Sequence, residues 1–300
     1  MNPSHDLDAV ALNFSPNDLL LLNLALALIM YGVALDLRVE DFKYLIKNPK
    51  AFFLGVFAQF LLLPALTLLL NYVMRPPASV SLGMFLVAAC PGGNVSNFLS
   101  NLAKGNTALS VSLTGFSTIG SIFLTPINFA LWAGFYGPTR ELLREISLDI
   151  SEVFLTVSLI LGIPLVLGIL TRNFYPKLAD RAKKILQPLS ILIFAAFVVV
   201  AFMGNLDIFL EYISVIFLWV LAHNAVALSA GFFTGFFGKL PFPDIKTLSI
   251  ETGIQNSGLG LVLIFTYFDG LGGMAIITAL WGIWHLISGM ALALSLKNIK

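Results

Sequence analysis

CPGGNVSN at residues 90–97 and ETGIQNSG at residues 251–258 set proline, glycine and a run of amide and hydroxyl side chains inside two long apolar stretches. A helix should run unbroken through a bilayer, because lipid offers no partner to an unsatisfied backbone N–H or C=O. Non-helical backbone survives at that depth only where it is packed in protein or lines a cavity. One such break in each half of a chain is the pattern of a transporter binding site built from discontinuous helices.

The composition agrees. With 58% hydrophobic and 11% charged residues, 300 residues are too apolar to keep a wetted surface, and the expected fold class is an all-α polytopic membrane protein. A formal charge of +1, spread over scattered loop residues, implies no nucleic-acid partner, and no protein partner is implied either. Cys90 is the only cysteine, which excludes an intrachain disulfide or a paired-thiol site, and His5, His223 and His285 do not fall at metal-binding spacings. The chain has no pair of membrane aspartates, no HExxH and no G-x-S-x-G, so an enzyme is not expected.

A helix needs about 20 apolar residues to cross the hydrocarbon. Nine segments qualify, near 17–35, 50–73, 79–103, 107–134, 148–171, 185–203, 209–237, 245–268 and 271–296, and the third and eighth hold the breaks. The tail at 1–16 carries Asp6 and Asp8 and no Lys or Arg, unlike a signal peptide, so the first segment reads as a retained helix. Cytoplasmic loops concentrate Lys and Arg. With the tail outside, Arg38, Lys43, Lys47, Lys50, Lys104, Arg172, Lys177, Arg181, Lys183, Lys184, Lys239, Lys246, Lys297 and Lys300 gather on one side, and only Arg75, Arg140 and Arg144 on the other. The expectation is N-out and C-in, in a plasma (cytoplasmic or inner) membrane.

The order of elements repeats. Segments two to four run as a helix with Gln59 and Pro64, a broken helix, and a long helix rich in small and hydroxyl residues (Ser110, Ser112, Thr114, Ser117, Thr118). Segments seven to nine run as a helix with His223 and Asn224, a broken helix, and a long helix ending with His285 and Ser288. The units are inserted in opposite senses, an inverted-topology repeat.

At the first break Pro91 lacks an amide hydrogen and Gly92-Gly93 lacks side-chain restraint, so one half-helix stops near Cys90 and another starts near Asn94. Such ends expose carbonyls suited to a small cation and N–H groups suited to an anion. Glu251 is the ionisable group inside a span, functional by default unless a neighbouring helix bonds it structurally. Its segment supplies no cation beside it, and the neutral oxygens of Gln255, Asn256, Ser257, Ser96 and Asn97 favour sodium over a proton as its counter-charge. The hydroxyls at 110–118 read equally as helix-packing residues that bond back to their own backbone. His223-Asn224 reads as helix glue or as site. His285 reads as an anchor against Trp281 and Trp284 or as a substrate contact.

CPGGNVSN resembles the CPGG-x-x-SN motif of the bile acid:sodium symporter family, and IETGIQNSGL its E-x-G-x-QNSGL motif; the resemblance covers residues 20 to 295. It implies two inverted repeats arranged as a panel domain (17–35 and 148–203, helices one, five and six) and a core domain (50–134 and 209–296) in which the broken helices cross. Bacterial relatives often have ten helices, and the first of these is the one this chain is expected to lack, leaving helix five without a counterpart. The resemblance places one sodium ion at Ser96, Asn97, Ser110, Thr114 and Glu251. A second falls at Gln59, Glu251, Gln255 and the carbonyls of Thr252 and Ile254. The substrate anion is expected near Asn94, Val95 and Asn256, with His285 in the last helix. Two positions depart from the family pattern: Leu286 follows Trp284-His285 where relatives carry Asn, and Asn94 replaces a smaller residue. The expected function is sodium-coupled import of an organic anion, a small carboxylate or a bile-acid-like molecule, by alternating access; the alternative is an arsenite-type or proton-coupled exporter using Cys90.

Overall fold

A computed structural model describes residues 7–9, 11–12, 16–35, 46–146 and 150–299 of the chain. His5, Asp6, Arg38, Lys43, residues 148–149 at the head of the fifth predicted segment, and Lys300 lie outside the described residues. The described chain is helical throughout: α1 (Pro16–Ala34), α2 (Pro49–Met74), α3 (Ala78–Ala89), α4 (Val95–Leu102), α5 (Thr107–Phe135), α6 (Gly137–Ile146), α7 (150–174), α8 (Pro176–Met203), α9 (Leu206–Phe237), α10 (Phe242–Gly253), α11 (Ser257–Tyr267) and α12 (Gly272–Leu296). Among the described residues there is no strand, only isolated bridges pairing Ala11 with Leu271 and Gly92 with Gln255.

Among the described residues, five helices are long and apolar enough to cross a membrane: Pro49–Met74, Thr107–Phe135, Phe154–Phe174, Leu206–Phe237 and Gly272–Leu296. The third and eighth predicted segments are pairs of shorter helices, α3 with α4 and α10 with α11, because the Pro-Gly-Gly and Gly-Ile-Gln runs divide them. The long helices turn large apolar side chains outward, including Phe53, Val73, Phe123, Ile127, Phe236 and Phe237. That surface suits hydrocarbon and is costly in water.

The broken helices occupy the centre. Every residue from Ser79 to Ala89, from Ile245 to Gly253 and from Ser257 to Phe265 is buried. A helix apolar on all sides has to be surrounded by others. Around this pair, α3 packs on α5 and α12, α9 lies along α10, and α4 touches α5, α10 and α12. On the periphery α1 packs against α7 and α8 and reaches α11.

Two features escape a reading by hydropathy. Helices α2 and α7 each widen into a π-turn, at Ala58–Leu62 and Ser158–Gly162, just ahead of Pro64 and Pro164. Proline cannot donate to the preceding turn, and an inserted residue relieves the clash of its ring. In α2 the widened turn carries Gln59. The other is Lys246, placed by sequence among the connecting cations but found buried within α10, its Nζ donating to the carbonyls of Ala103 (3.1 Å), Leu296 (2.8 Å) and Ile299 (2.8 Å). It thus caps the C-terminal ends of α4 and α12, where helix carbonyls lack partners and the dipole favours a cation. At the opposite end of α3, the tail supplies the cap: Asp8 Oδ1 accepts from Ser79 N at 2.7 Å, and Leu12 N donates to Gly270 O at 2.9 Å.

Candidate functional site

The unwound segments of the two broken helices cross and satisfy each other. Gly93 N donates to Ile254 O at 2.8 Å, and Asn256 N donates to Pro91 O at 2.9 Å, a two-bond antiparallel bridge in the interior. Space is tight there: a Cβ on Gly93 would lie 3.0 Å from the carbonyl oxygen of Gln255, and one on Gly92 would lie 3.0 Å from Glu251 Oε2. Four further carbonyls at the breaks are paired with side chains. Cys90 O accepts from Gln59 Nε2 (2.9 Å), Ala89 O from Thr125 Oγ1 (2.8 Å), Thr252 O from Gln255 Nε2 (2.7 Å) and Gly253 O from Asn224 Nδ2 (2.9 Å). Buried backbone groups need partners, and here Gln255 and residues from surrounding helices supply these four.

Around the crossing the site residues form two clusters. In the first, Glu251 Oε1 accepts from Ser96 Oγ at 2.5 Å and from Ser110 Oγ, and Thr114 Oγ1 lies 3.0 Å from both carboxylate oxygens. Asn97 Oδ1 joins them, 2.9 Å from Ser110 Oγ and 3.2 Å from Thr114 Oγ1. Ser96, Ser110, Thr114 and Glu251 are all buried. Each hydroxyl carries a single hydrogen, so these three cannot serve both carboxylate oxygens and the Asn97 carbonyl at every contact. The result is a knot of oxygens with more lone pairs than protons, bearing one carboxylate. Among the described residues no Lys, Arg or His lies within ion-pair distance of Glu251, and nowhere do three or more His, Cys, Asp and Glu come together. Neutral oxygens around a single carboxylate suit a small hard cation.

In the second cluster Gln59 and Gln255 face each other as a reciprocal amide pair, Gln59 Nε2 donating to Gln255 Oε1 at 2.8 Å and Gln255 Nε2 to Gln59 Oε1 at 3.1 Å. Both amide hydrogens of each residue are used. Glu251 makes no hydrogen bond to either glutamine; instead Gln59, Glu251 and Thr252 line a narrow cleft together with Gly55, Leu113 and Phe116. A cation in that cleft would have to draw the amide oxygens away from each other's N–H groups.

The residues assigned to an anion are arranged differently. Asn94, Val95 and Asn256 are half-buried at the crossing, whereas the carboxylate cluster is enclosed. Asn256 caps α11 through Oδ1 to Leu259 N (3.1 Å) and turns Nδ2 toward Met30 Sδ on α1 at 3.6 Å. Val95 begins α4, with Asn94 as its N-cap. His285 is buried on α12 against Trp281, ring centroids 5.8 Å apart, and forms no hydrogen bond to the crossing. Cys90 is fully enclosed. Sequence reasoning assigns no role to Thr125 and leaves Asn224 undecided, since nothing local marks a hydroxyl or amide whose partner is a carbonyl on a distant helix.

Gly92→Ala is expected to preserve the fold while displacing the Glu251 carboxylate, because its Cβ would press on a side-chain end, with Ser117 Oγ behind it at 3.7 Å. Overpacking of this size costs about 1–3 kcal/mol, so cation affinity should fall about tenfold or more. Unchanged half-saturation in a sodium titration of the variant would refute this placement.

Comparison with known proteins agrees with the geometry. A model of the Sodium Bile acid symporter family matches residues 23–212. The chain is 33% identical over 268 residues to the uncharacterized sodium-dependent transporter YocS of Bacillus subtilis, covering 89% of this chain and 80% of that protein. It is 27% identical to the probable sodium/metabolite cotransporter BASS2, chloroplastic, of Oryza sativa subsp. japonica, covering 93% of this chain and 64% of the relative. Against the probable sodium/metabolite cotransporter BASS1, chloroplastic, of Arabidopsis thaliana it is 28% identical over 89% of this chain and 64% of the relative. The chain thus spans less than two thirds of these plant relatives. Family model, long apolar helices and a crossing built from both motifs converge: the chain belongs to the sodium bile acid symporter family, and its work is transport, not catalysis.

Proposed function

We propose that this member of the family is a sodium-coupled symporter that imports an organic anion, a small carboxylate or a bile-acid-like molecule, by alternating access. The observation that carries the reading is the oxygen cluster of the buried Glu251, Ser96, Ser110 and Thr114 with the half-buried Asn97, a single carboxylate without a basic partner among the described residues. One sodium ion binds there. A second binds in the adjoining cleft, at Gln59, Glu251, Gln255 and the carbonyls of Thr252 and Ile254, since a carbonyl that accepts one hydrogen bond has a second lone pair to offer a cation. The anion sits on the half-exposed side of the crossing at Asn94, Val95 and Asn256, with His285 on the neighbouring α12. The names of the Bacillus and plant relatives, which specify sodium dependence, support the choice of ion.

The same proposal includes the architecture. Nine spans run N-out to C-in across a plasma or inner membrane, with the segments at 50–134 and 209–296 forming an inverted repeat and a core. The panel, 17–35 with 148–203, moves against that core, and the packing of α1 on α7 and α8 supports this grouping. Two sodium ions and a monovalent anion carry one net positive charge inward.

Reconstituted in liposomes and offered cholate and a panel of small monocarboxylates, the protein should take up anion under an inward sodium gradient and not under a potassium gradient. An inside-negative potential should accelerate uptake. Equal uptake in the two salts would sink the symport reading, and indifference to potential would remove the second sodium ion.

A further inference from the structure

The carbonyl of Gly253 closes α10 and stands between the two backbone oxygens, of Thr252 and Ile254, that the proposed second sodium site uses. Its neighbours are held from within the crossing, Thr252 O by the Gln255 amide and Ile254 O by Gly93 N. Gly253 O is held from outside, by Asn224 Nδ2 of α9 at 2.9 Å. Asn224 is 1% exposed, and its other end is also engaged: Oδ1 accepts from Ser288 Oγ of α12 at 2.5 Å. The Gly253 carbonyl only accepts, so it takes the nitrogen end of the amide, and the Ser288 hydroxyl, by donating to the oxygen end, anchors the side chain from the other side. The chain thereby links three helices, α9, α10 and α12, through one side chain.

The break needs this restraint. Gly253 has no side chain to limit its backbone, and a rotation of its peptide plane would turn the carbonyls on either side. The packing of α9 on α10 makes the restraint stiff. At Gly231 a Cβ would lie 2.6 Å from the carbonyl carbon of Leu248, and Ser249 Oγ donates to Leu228 O at 2.8 Å. Asn224 is therefore carried on a helix that cannot slide without disturbing α10 along its length. Ser288 lies one turn beyond His285 on α12, which connects the same side chain to the helix proposed to meet the anion.

We infer that Asn224 is a positioning residue for the second sodium site, with Ser288 anchoring its amide, an inference that rests on the sodium reading above. Asn224 does not touch the ion. It holds the Gly253 carbonyl so that the Thr252 and Ile254 carbonyls converge on the cleft shared with Gln59 and Glu251.

The test uses sodium alone on the purified full chain: binding of radiolabelled sodium, and the rise in melting temperature on titrating sodium against a potassium background. Asn224→Asp keeps the acceptor for Ser288 but loses the donor to Gly253; it and Asn224→Ala should raise half-saturating sodium about tenfold, equivalent to about 1.4 kcal/mol. Ser288→Ala, which leaves the donor in place but unanchored, should raise it about threefold. Glu251→Gln tests the underlying reading and should abolish the sodium response. Wild-type half-saturation in the Asn224 and Ser288 variants, with the response lost in Glu251→Gln, overturns the positioning role and leaves the sodium site standing. A lower melting temperature without sodium but unchanged half-saturation assigns Asn224 to packing alone, and also overturns it. A wild-type sodium response in Glu251→Gln overturns the sodium reading and this inference together.

Discussion

Glu251→Gln should lower sodium-driven uptake roughly a hundredfold or more while leaving the protein folded. The substitution preserves size and one acceptor oxygen, so Ser96, Ser110 and Thr114 keep a partner. What it removes is the one negative charge of the cluster. A cation taken from water into a buried site without a counter-charge loses the interaction that offsets its desolvation, and breaking such a pair costs about 3–5 kcal/mol. At about 1.4 kcal/mol per factor of ten, even the low end exceeds a hundredfold. The amide nitrogen adds a second effect, since it donates hydrogen bonds where a carboxylate only accepts and so competes with the cation for the Asn97 carbonyl. Sodium titration of uptake in liposomes measures the loss. Retention of wild-type sodium dependence would remove Glu251 from both proposed ion sites.

The largest effect on stability is expected at Gly231. A methyl group added there would meet main chain, not a flexible side-chain end: the Leu248 carbonyl carbon at 2.6 Å and Ser249 Cα at 2.8 Å. Ordinary contact begins near 3.4 Å, so in Gly231→Ala helix α9 must withdraw from α10. Withdrawal pulls Asn224 from Gly253 O and Ser249 Oγ from Leu228 O, leaving the buried Gly253 carbonyl and Ser249 hydroxyl without those partners. The combined cost should reach about 3 kcal/mol or more, a fall of roughly 5–10 °C in melting temperature for a domain of this size. Gly134→Ala is the matched control, because a Cβ there meets nothing within 4 Å; an alanine in that helix should be neutral or stabilising by up to about 1 kcal/mol. Equal melting of the two variants would show that α9 and α10 are not in backbone contact.

The contrast between these two positions also marks what can be read from sequence. Glu251 announces itself, since a carboxylate inside an apolar stretch needs an explanation wherever it folds. Gly231 does not, because a glycine in a membrane helix is ordinary and its meaning lies in a neighbour that arrives from elsewhere in the chain. The same division runs through the site. Ser96 and Asn97 follow a Pro-Gly-Gly break and are found with it, whereas Thr125 and Asn224 sit in long uninterrupted helices with only their partners to identify them. Lys246 sorts with the connecting cations because hydropathy sees its charge and not the three carbonyls that receive it.

By itself the sequence determined that the chain is helical and apolar enough for a bilayer, that two of its long stretches break at 90–97 and 251–258, and that Glu251 belongs with hydroxyl and amide oxygens. These are properties of local composition: proline and glycine end a helix, and a buried charge demands polar company, whatever the rest of the chain does. Only the tertiary structure decided that the breaks exchange Gly93–Ile254 and Asn256–Pro91 hydrogen bonds, that Gln59 and Gln255 pair amide to amide, and that Asn224 reaches Gly253. Those pairings join residues far apart along the chain, and hydrogen bonds of this kind depend on distance and direction set by helix packing, which no local pattern encodes.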